Sequence, residues 1–380
     1  MTPHPLGLAR SKIVLITHEF FPYRGGIATW VQEFASAAKA EGWPIEVWCP
    51  AAPELHPEKY PFPVVPMPVP GGQGWKSRIA LSKFLRQRVA TWREAHLLLP
   101  DPGPIRTFMD AKLFGLDMPA SIRVVLHGTE IIRLARWPWR KKKFWSLLRK
   151  AERVAVVSRH NRKLTLDRFP DLPEKVKVAH AAPRSDLAVP RGPVERPWRD
   201  KTVILTVARI SPRKGQLAMI EAIGRLPSDM RNKIIYRLAG QTNSPSYRDK
   251  VESVARRLGV TLEILGKVPD ERLPEQYQDA DIFALTSREY WGSIEGFGLV
   301  YLEAGLFGLP VIAHRTGGVE DAVLDEQTGF LMDPDDRTRL AEAISRLVRE
   351  PALRARMGAR GVTWARSFSW AQTVRDVLED

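Results

Sequence analysis

Short runs of aliphatic and β-branched residues alternate with longer amphipathic stretches along the 380-residue chain, and this alternation restricts the fold more than any other feature. Runs such as KIVLIT (12–17) and RVVLH (123–127) have the length and composition of buried strands. A stretch such as IATWVQEFASAAKAEG (27–42) has the length and periodicity of a helix. Because strands separated by helices form βαβ units, we predict parallel sheets.

The segment AAPRSDLAVPRGPVERPWRD (181–200) is rich in proline, lacks apolar periodicity and divides the chain in two. After it the alternation begins again, so the predicted fold class is α/β, with two Rossmann-like, doubly wound domains that face each other across a cleft. A second segment rich in proline and glycine, PFPVVPMPVPGG (61–72), predicts an extended surface loop. We place the first domain at 1–185, the linker at 186–200, the second domain at 201–365 and a last helix, which packs back on the first domain, at about 366–380.

The composition is typical of a folded cytoplasmic protein. With 44% hydrophobic residues, the chain can fill the cores of two domains. Its single cysteine, Cys49, rules out an internal disulfide framework, a structural zinc site and an iron–sulfur cluster, and it suits a reducing compartment. The N-terminal residues indicate a first strand rather than a signal peptide, and no apolar stretch reaches the roughly 20 residues of a membrane-spanning helix.

The net charge of +15 is concentrated in the first half of the chain. Residues 1–195 contain 31 lysines and arginines against 17 acidic residues, whereas residues 196–380 contain 27 against 26. A basic face of this kind indicates an anionic partner, which is nucleic acid, a membrane surface or a phosphorylated substrate. Composition alone does not choose among the three.

The stretch EGFGLVYLE (295–303) follows the predicted strand DIFALTS (281–287) and opens an apolar run of helical length. The free amides and the positive dipole end of a helix that begins near Gly298 form an anion site. Glu295 precedes this site and Glu303 lies inside the helix, so both could bind sugar hydroxyls beside a phosphate. The alternative is an ordinary helix start, in which Glu295 complements the dipole and Glu303 is merely exposed.

A second polar group follows the strand TVILTVAR in the same predicted domain. The loop RISPRKGQ carries Arg209, Arg213 and Lys214 at the carboxyl edge of the sheet, where cations can neutralise a diphosphate. The alternative is a solvated basic loop. The sequence DAD (279–281) has the form of a metal-binding Asp-x-Asp, but it lies at the start of a strand and away from that edge, so we expect no metal site.

These motifs resemble those of a known family. ARISPRKGQ (208–216) and EGFGLVYLEAGLFGLPVIA (295–313) resemble the second domain of the retaining, nucleotide-sugar-dependent glycosyltransferases with the GT-B fold, the group 1 or family-four type. HEFFPYRGGIATWVQEFA (18–35) and HGTE (127–130) resemble the first domain. The resemblance covers nearly the whole chain and is most specific over residues 201–335.

The resemblance implies roles for individual residues of the second domain. Glu303 matches the acid that binds the ribose hydroxyls of the donor, and Glu295 matches the acid beside its sugar ring. The groups that match the diphosphate cradle are the amides of Gly298, Leu299 and Val300, together with Arg209 and Lys214.

In the first domain, Gly25 and Gly26 match the flexible glycine loop that approaches the leaving phosphate. His127 matches the histidine near the transferred sugar, and the alternative for His127 is a core histidine with satisfied hydrogen bonds. The chain departs from the family where HAAPRSD (180–186) replaces the common Asn-Gly-Val-Asp stretch, so no role is carried over to those residues.

The family also implies the reaction. Cleavage of the anomeric C–O bond builds negative charge on the departing diphosphate, and cations and amides stabilise that charge. The resemblance implies retention by front-face transfer, with no metal or other cofactor. We expect a hexose to move from GDP-mannose or a UDP-hexose to a lipid-linked or glycan acceptor in glycolipid or cell-surface polysaccharide synthesis. A sugar-nucleotide epimerase on the same scaffold is the alternative.

Residues 133–153, RLARWPWRKKKFWSLLRKAER, contain nine basic residues and one acidic residue, interleaved with four aromatic residues. Aromatic side chains beside cations favour the headgroup region of an anionic bilayer. As a hypothesis, this segment docks a cytoplasmic enzyme on the inner face of the cell membrane. The alternative is a helix whose tryptophans pack on the core. A nucleic-acid-binding protein is the competing class, but no recognised nucleic-acid-binding motif is present, and we expect no such partner.

Overall fold

The structure is a computed structural model that describes residues 11–22, 25–187 and 200–379. The described chain divides into two compact units. The first unit is formed by the chain up to Ala181 and again from Trp370, and the second is Ala182–Ser369. Most of the predicted linker, 186–200, lies outside the described residues.

The first unit contains a seven-stranded parallel sheet. Its strands are β1 (Ile13–Ile16), β2 (Ile45–Pro50), β3 (Val64–Met67), β4 (His96–Leu99), β5 (Ser121–Leu126), β6 (Arg153–Val156) and β7 (Val176–Val178). Their order in the sheet is β3-β2-β1-β4-β5-β6-β7. The order reverses between β1 and β4, and because crossovers are right-handed, the helices cover both faces of the sheet.

The helices of the first unit coincide with amphipathic stretches of the sequence. They are α1 (Gly26–Ala40), α2 (Trp75–Gln87), α3 (Val89–Trp92), α4 (Pro102–Met109), α5 (Thr129–Leu134), α6 (Pro138–Lys150) and α7 (Arg159–Leu166). Two of them begin at capping residues. The side chain of Asp101 accepts a hydrogen bond from the Gly103 amide at the start of α4, and that of Ser158 accepts one from the Asn161 amide at the start of α7.

The second unit contains a six-stranded parallel sheet. Its strands are β8 (Thr202–Val207), β9 (Ile234–Ala239), β10 (Thr261–Gly266), β11 (Ile282–Leu285), β12 (Val311–His314) and β13 (Gly329–Met332). Their order is β10-β9-β8-β11-β12-β13, so this sheet reverses between β8 and β11. Ligands of such sheets bind outside the carboxyl ends of the two strands at the reversal.

The helices of the second unit connect these strands. They are α8 (Gln216–Gly224), α9 (Ser228–Arg231), α10 (Pro245–Leu258), α11 (Leu273–Gln278), α12 (Leu299–Leu306), α13 (Val319–Ala322), α14 (Arg337–Arg349) and α15 (Pro351–Arg366). A short 3-10 turn, Pro212–Lys214, precedes α8.

The last helix, α16 (Trp370–Leu378), packs on the first unit, against α1 and β6. Its Trp370 ring lies edge-on to Trp30 at 6.4 Å, and Thr373 donates a hydrogen bond to the carbonyl of His180 at 2.6 Å. Val374 and Val377 are fully buried. The chain therefore returns to its first unit to complete that core.

The prediction of a surface loop at 61–72 is wrong, because β3 lies within this segment. Val64 pairs with Val47 of β2, and Pro66 stands opposite Cys49. Proline is tolerated there because β3 is an edge strand and needs hydrogen bonds on one side only. The prolines that suggested a loop instead mark the edge of the sheet.

Candidate active site

The two loops at the strand reversal of the second unit lie against each other. One follows β8 and carries Lys214, and the other follows β11 and carries Glu295. The Lys214 Nζ is 2.7 Å from Glu295 Oε2, and an Arg213 guanidinium nitrogen is 3.2 Å from the same oxygen. Ser287 Oγ donates a third hydrogen bond to this oxygen at 2.9 Å. The sequence placed Arg213, Lys214 and Glu295 at one sheet edge, and the structure joins them in one cluster to which Ser287 is added.

Gly215 allows the two loops to approach this closely. Its φ of +74° lies in the left-handed region, and a Cβ at this position would come within 1.9 Å of the carbonyl oxygen of Thr286. The Thr286 hydroxyl donates in turn to the Gly215 carbonyl at 2.9 Å. A side chain at position 215 would push Lys214 away from Glu295.

The Glu295 carboxylate is ionised throughout the physiological range. Burial by itself raises the pKa of Glu295, but Lys214 and Arg213 outweigh it and lower the pKa to about 2. Burial lowers the pKa of Lys214, as does the proximity of Arg213, while Glu295 opposes that shift. The cluster thus contains two cations, Arg213 and Lys214, and one anion, Glu295, all largely enclosed. Its net charge is positive, which favours an anionic ligand.

This ion cluster predicts how stability depends on pH. The pKa of Glu295, about 2, lies below its ordinary value of 4.5, so the folded protein holds this proton less tightly than the unfolded chain. Its contribution to stability is therefore full above the ordinary pKa and is lost as the pH falls toward 2. We expect the free energy of unfolding in urea to fall more steeply over this acid range in the wild type than in Glu295→Gln, by on the order of 1 kcal/mol or more. Parallel curves for the two proteins would contradict the ion pairing.

The N-terminus of α12 opens beside this cluster. The helix begins at Leu299, preceded by Gly298, whose φ is +91° and where a Cβ would meet the Tyr301 ring at 2.4 Å. No acidic residue lies in its first turn, and the first amides of a helix, here those of Leu299 and Val300, have no acceptor within the helix. The carbonyl of Glu295 accepts from the Gly318 amide at 2.9 Å, which fixes the chain that leads into the helix. Free amides at a helix start of this kind can bind an anion, which is the role that the sequence predicts for them.

Glu303 is buried within α12, so the alternative of an exposed glutamate is wrong. Glu303 is 3% exposed, and its carboxylate accepts a hydrogen bond from the Tyr277 hydroxyl at 2.8 Å. Arg184 lies close enough for Glu303 to raise its pKa, against the opposing effect of burial, and it also pairs with Asp186 at 2.7 Å. Sequence reasoning assigned no role to Tyr277 or Arg184. Only the fold brings them to the acid.

Arg209 is the member of the predicted cradle that lies outside the ion cluster. Its side chain is exposed, and it is near enough to Lys214 to lower the pKa of that lysine further. Its backbone carbonyl accepts from the Gln216 side chain at 3.0 Å, which fixes the loop. A ligand could reach Arg209 without breaking an ion pair found among the described residues.

At the strand reversal of the first unit, Asp101 connects the ends of β1 and β4. Its carboxylate accepts hydrogen bonds at 2.7 Å from the Thr17 hydroxyl and from the His18 amide. The His18 ring bonds the carbonyl of Gly72 at 2.8 Å, and its Nε2 is buried with no partner in the described part of the chain. Sequence reasoning missed both Asp101 and His18, although His18 directly follows the predicted strand 12–17 and Asp101 lies two residues after the end of β4.

Gly25 and Gly26 occupy open space at the start of α1. A Cβ at either position would have no neighbour within 4 Å, and the Gly25 backbone is extended, a conformation open to any residue. Nothing in the described structure therefore requires glycine at these two positions.

His127 follows β5 and is half-buried. Burial lowers the pKa of His127 to about 4, although a hydrogen bond to the Pro100 carbonyl acts in the opposite direction, so the imidazole is neutral at physiological pH. Its ring stands edge-on to Trp30 at 5.6 Å, and no described residue bonds its Nε2. One ring nitrogen is satisfied and the other is not, which differs from the alternative of a fully satisfied core histidine.

The acidic residues of DAD (279–281) are structural. Asp279 forms an ion pair with Arg237 at 2.5 Å, and Asp281 accepts from the Val203 amide at 2.9 Å. Within residues 11–22, 25–187 and 200–379, no three or more His, Cys, Asp or Glu side chains group as metal ligands.

The basic segment 133–153 divides its aromatic residues between solvent and core. Trp137 and Trp139 are 52% and 56% exposed, whereas Phe144 is fully buried. Trp145 donates to Asp171 at 2.9 Å. The alternative in which the tryptophans pack on the core is therefore wrong for Trp137 and Trp139, and docking on a membrane stays a hypothesis. No helix of the described chain has the length and apolar character needed to cross a bilayer.

Comparison with known families matches both units. The family described as Glycosyl transferases group 1 matches residues 194–364, and Glycosyltransferase Family 4 matches residues 24–182. A solved structure, HepE of Anabaena in complex with UDP and glucose, aligns with 97% of this chain and 99% of its own, with a TM-score of 0.76 at 20% identity. The likeness to HepE shows the fold.

Two curated relatives align with a smaller share of the chain than HepE does. The GDP-mannose-dependent alpha-(1-6)-phosphatidylinositol monomannoside mannosyltransferase of Mycolicibacterium smegmatis is 32% identical over 225 residues, 57% of this chain and 58% of that protein. The D-inositol 3-phosphate glycosyltransferase of Corynebacterium efficiens is 36% identical over 175 residues, 45% of this chain and 40% of that protein. The chain thus matches about half the length of these relatives.

Two parallel α/β units, each with a reversal of strand order, align over nearly the whole chain with solved structures of the GT-B class, and the prediction of an α/β fold with two Rossmann-like units is confirmed. Within that class, the chain belongs to the group 1 glycosyltransferases.

Proposed function

We propose that this protein transfers a hexose from a nucleotide-sugar to a lipid-linked acceptor in glycolipid or cell-surface polysaccharide synthesis. The observation that carries the proposal is the cluster of Lys214, Arg213 and Glu295 beside the open N-terminus of α12. Cations and helix amides suit a diphosphate, and a carboxylate among them suits the hydroxyls of the attached sugar. The mannosyltransferase and inositol-phosphate glycosyltransferase relatives support the same class of reaction.

Catalysis in this proposal is stabilisation of the leaving group. As the anomeric C–O bond breaks, negative charge grows on the β-phosphate. Lys214, Arg209 and the amides of Leu299 and Val300 would stabilise that charge more strongly in the transition state than in the ground state. Retention of configuration by front-face transfer, with the leaving phosphate accepting the proton of the acceptor hydroxyl, is part of the proposal. So is transfer without a metal ion, and EDTA should therefore leave turnover unchanged.

GDP-mannose or a UDP-hexose is the proposed donor. A GDP-mannose-dependent relative supports the first, and the bound UDP of HepE supports the second. In either donor, Glu303 would accept hydrogen bonds from the ribose hydroxyls. Glu295 would contact the hexose while Lys214 turns toward the diphosphate.

His127, Gly25 and Gly26 have proposed roles in the first unit. A neutral imidazole that gives one N–H to the Pro100 carbonyl keeps the other nitrogen as an acceptor, so His127 would accept a hydrogen bond from a sugar hydroxyl. Gly25 and Gly26 leave a bare backbone at the start of α1, which would let a phosphate approach their amides.

Gly26→Ala should separate activity from stability. The new methyl group meets nothing within 4 Å, so the melting temperature should be unchanged or slightly raised. If the two glycines approach the leaving phosphate, kcat should fall about tenfold or more. Thermal denaturation and initial rates measured on the same preparation check both parts. A variant with full activity would remove this loop from the mechanism.

A thermal-shift screen against UDP-, GDP- and ADP-sugars tests the proposed function, because a ligand that binds only the folded protein raises its melting temperature. The donor that stabilises the protein is then incubated with it in the absence of acceptor. Slow release of the nucleoside diphosphate and free hexose agrees with a transferase. Conversion to an epimeric nucleotide-sugar would establish the epimerase instead.

A further inference from the structure

A basic pocket lies between helices α2, α4 and α6 of the first unit, and none of its lining residues belongs to the candidate active site. Its charged lining consists of Arg78, Arg106, Arg140, Lys143 and Asp110. Its volume is about 70 Å³, several times the 10–15 Å³ that one water molecule needs, so a phosphoryl group can enter.

The charges of this pocket do not balance. Its one acid, Asp110, forms ion pairs with both Arg78 and Lys143. Arg106 and Arg140 have no carboxylate partner among the described residues. Burial, together with the nearby Arg140 and Arg78, lowers the pKa of Arg106, which is the effect of cations held close without enough anions. An entering anion would relieve this repulsion.

The lining of this pocket includes a guanidinium donor without a partner and lies beside two helix starts. Arg78 Nε is buried and has no hydrogen-bond partner in the described chain. Helices α2 and α6 both begin beside the pocket, with no acidic residue in the first turn and no side-chain cap, so their positive dipole ends add to the field. The pocket therefore has an unused donor as well as excess positive charge, and a phosphate ester supplies both the acceptor oxygens and the negative charge.

Exposed tryptophans surround these charges. Trp139 lines the pocket and is 56% exposed, with the guanidinium of Arg140 4.8 Å from its ring centre. Trp137, beside it at the start of α6, is 52% exposed, and Trp75, at the start of α2, is 51% exposed. Exposed tryptophans next to cations are typical of surfaces that lie at the headgroup level of a bilayer. A site for a soluble phosphate compound would not require exposed tryptophans around it.

We propose that this pocket binds the headgroup phosphate of an anionic membrane lipid, with the three tryptophans inserted around it. The inference rests on the proposed function, because it names the charged group through which the enzyme reaches a lipid-linked acceptor. The sequence hypothesis attributes membrane docking to the charges and aromatic residues of 133–153 as a whole. The pocket attributes it to one defined site, to which α2 and α4 contribute charged residues as α6 does.

The test is co-sedimentation of the full chain with vesicles of phosphatidylcholine, and with vesicles of phosphatidylcholine mixed with phosphatidylglycerol. Arg140→Gln with Lys143→Gln removes two pocket charges. A matched control, Lys39→Gln with Lys177→Gln, removes two exposed lysines that do not line the pocket. We expect the wild type to prefer the anionic vesicles, the pocket variant to lose about tenfold or more in partitioning, and the control to stay near the wild type. An equal loss in both variants would show diffuse attraction and overturn the pocket.

Three further measurements complete the test. Inorganic phosphate is titrated against the wild type in the absence of vesicles, and tight binding of phosphate without any preference for anionic vesicles would overturn the choice of a lipid. Trp139→Ala, which keeps every charge, should also weaken binding to anionic vesicles. Nucleotide binding in the second unit is measured for each variant by thermal shift. If neither the wild type nor any variant bound a nucleotide, the proposed function would be refuted. The vesicle experiment would still decide whether the pocket binds a lipid.

Discussion

Lys214→Ala should lower kcat by about 10²–10³-fold, because it removes a preorganised cation from the place where negative charge develops on the departing diphosphate. The lysine is largely enclosed, with its Nζ 2.7 Å from Glu295, so water cannot replace it well. KM for the donor should rise much less than kcat falls, since the contact strengthens as the bond breaks. Steady-state kinetics with varied donor measures both constants.

Lys250→Ala, at an exposed lysine on α10, is the matched control and should leave both constants unchanged. Arg209→Ala should reduce kcat less than Lys214→Ala, because Arg209 is exposed and its charge is screened by solvent. The melting temperature must be followed, since Lys214→Ala leaves Glu295 with Arg213 and Ser287 as its side-chain partners within the described part of the chain. A folded Lys214→Ala protein with wild-type turnover would exclude the lysine from the cradle.

Glu303→Ala should weaken binding of the donor by about 10–100-fold and change kcat little. The ribose is remote from the reacting bond, so its hydrogen bonds to a charged acceptor contribute equally to the ground state and the transition state. Isothermal titration with the nucleoside diphosphate gives the affinity without catalysis. A diphosphate that lacks both ribose hydroxyls should bind wild type and Glu303→Ala with equal affinity.

Tyr277→Phe is the control for a merely structural effect, because it removes the hydroxyl that bonds Glu303 and leaves the acid in place. We expect Tyr277→Phe to reduce nucleotide affinity only slightly. If Glu303→Ala and Tyr277→Phe weakened binding alike, and the dideoxy ligand still distinguished wild type from Glu303→Ala, the acid would act through packing rather than through the ribose.

Local patterns were enough to predict two parallel sheets and to place the polar groups of the second unit's candidate site at one sheet edge. Strands at 202–207 and 282–285 and the glycine before α12 are continuous in sequence, so the groups at their carboxyl ends could be placed on one edge. The prediction of a loop at 61–72 was wrong because it, too, rested on local sequence alone. Proline indicates a loop locally, and only the position at the edge of the finished sheet makes it acceptable in a strand.

Contacts between distant segments could not be predicted. The hydrogen bond between Tyr277 and Glu303 joins the end of α11 to the middle of α12, and its partners have no shared motif. Strand β4 consists of the four residues HLLL, and so short an apolar run cannot be told from part of a helix. Because β4 was not predicted, Asp101 could not be placed at the strand reversal. The basic pocket likewise depends on three helices whose charges are separated by up to 65 positions.

The most direct test of the central claim is a crystal structure with bound GDP-mannose or UDP-glucose. The claim predicts the β-phosphate within hydrogen-bond distance, about 2.7–3.2 Å, of Lys214 Nζ and of the amides of Leu299 or Val300, with Glu303 on the ribose. It is contradicted if the nucleotide binds elsewhere, or if the diphosphate is ordered while Lys214 remains on Glu295 and touches no phosphate oxygen.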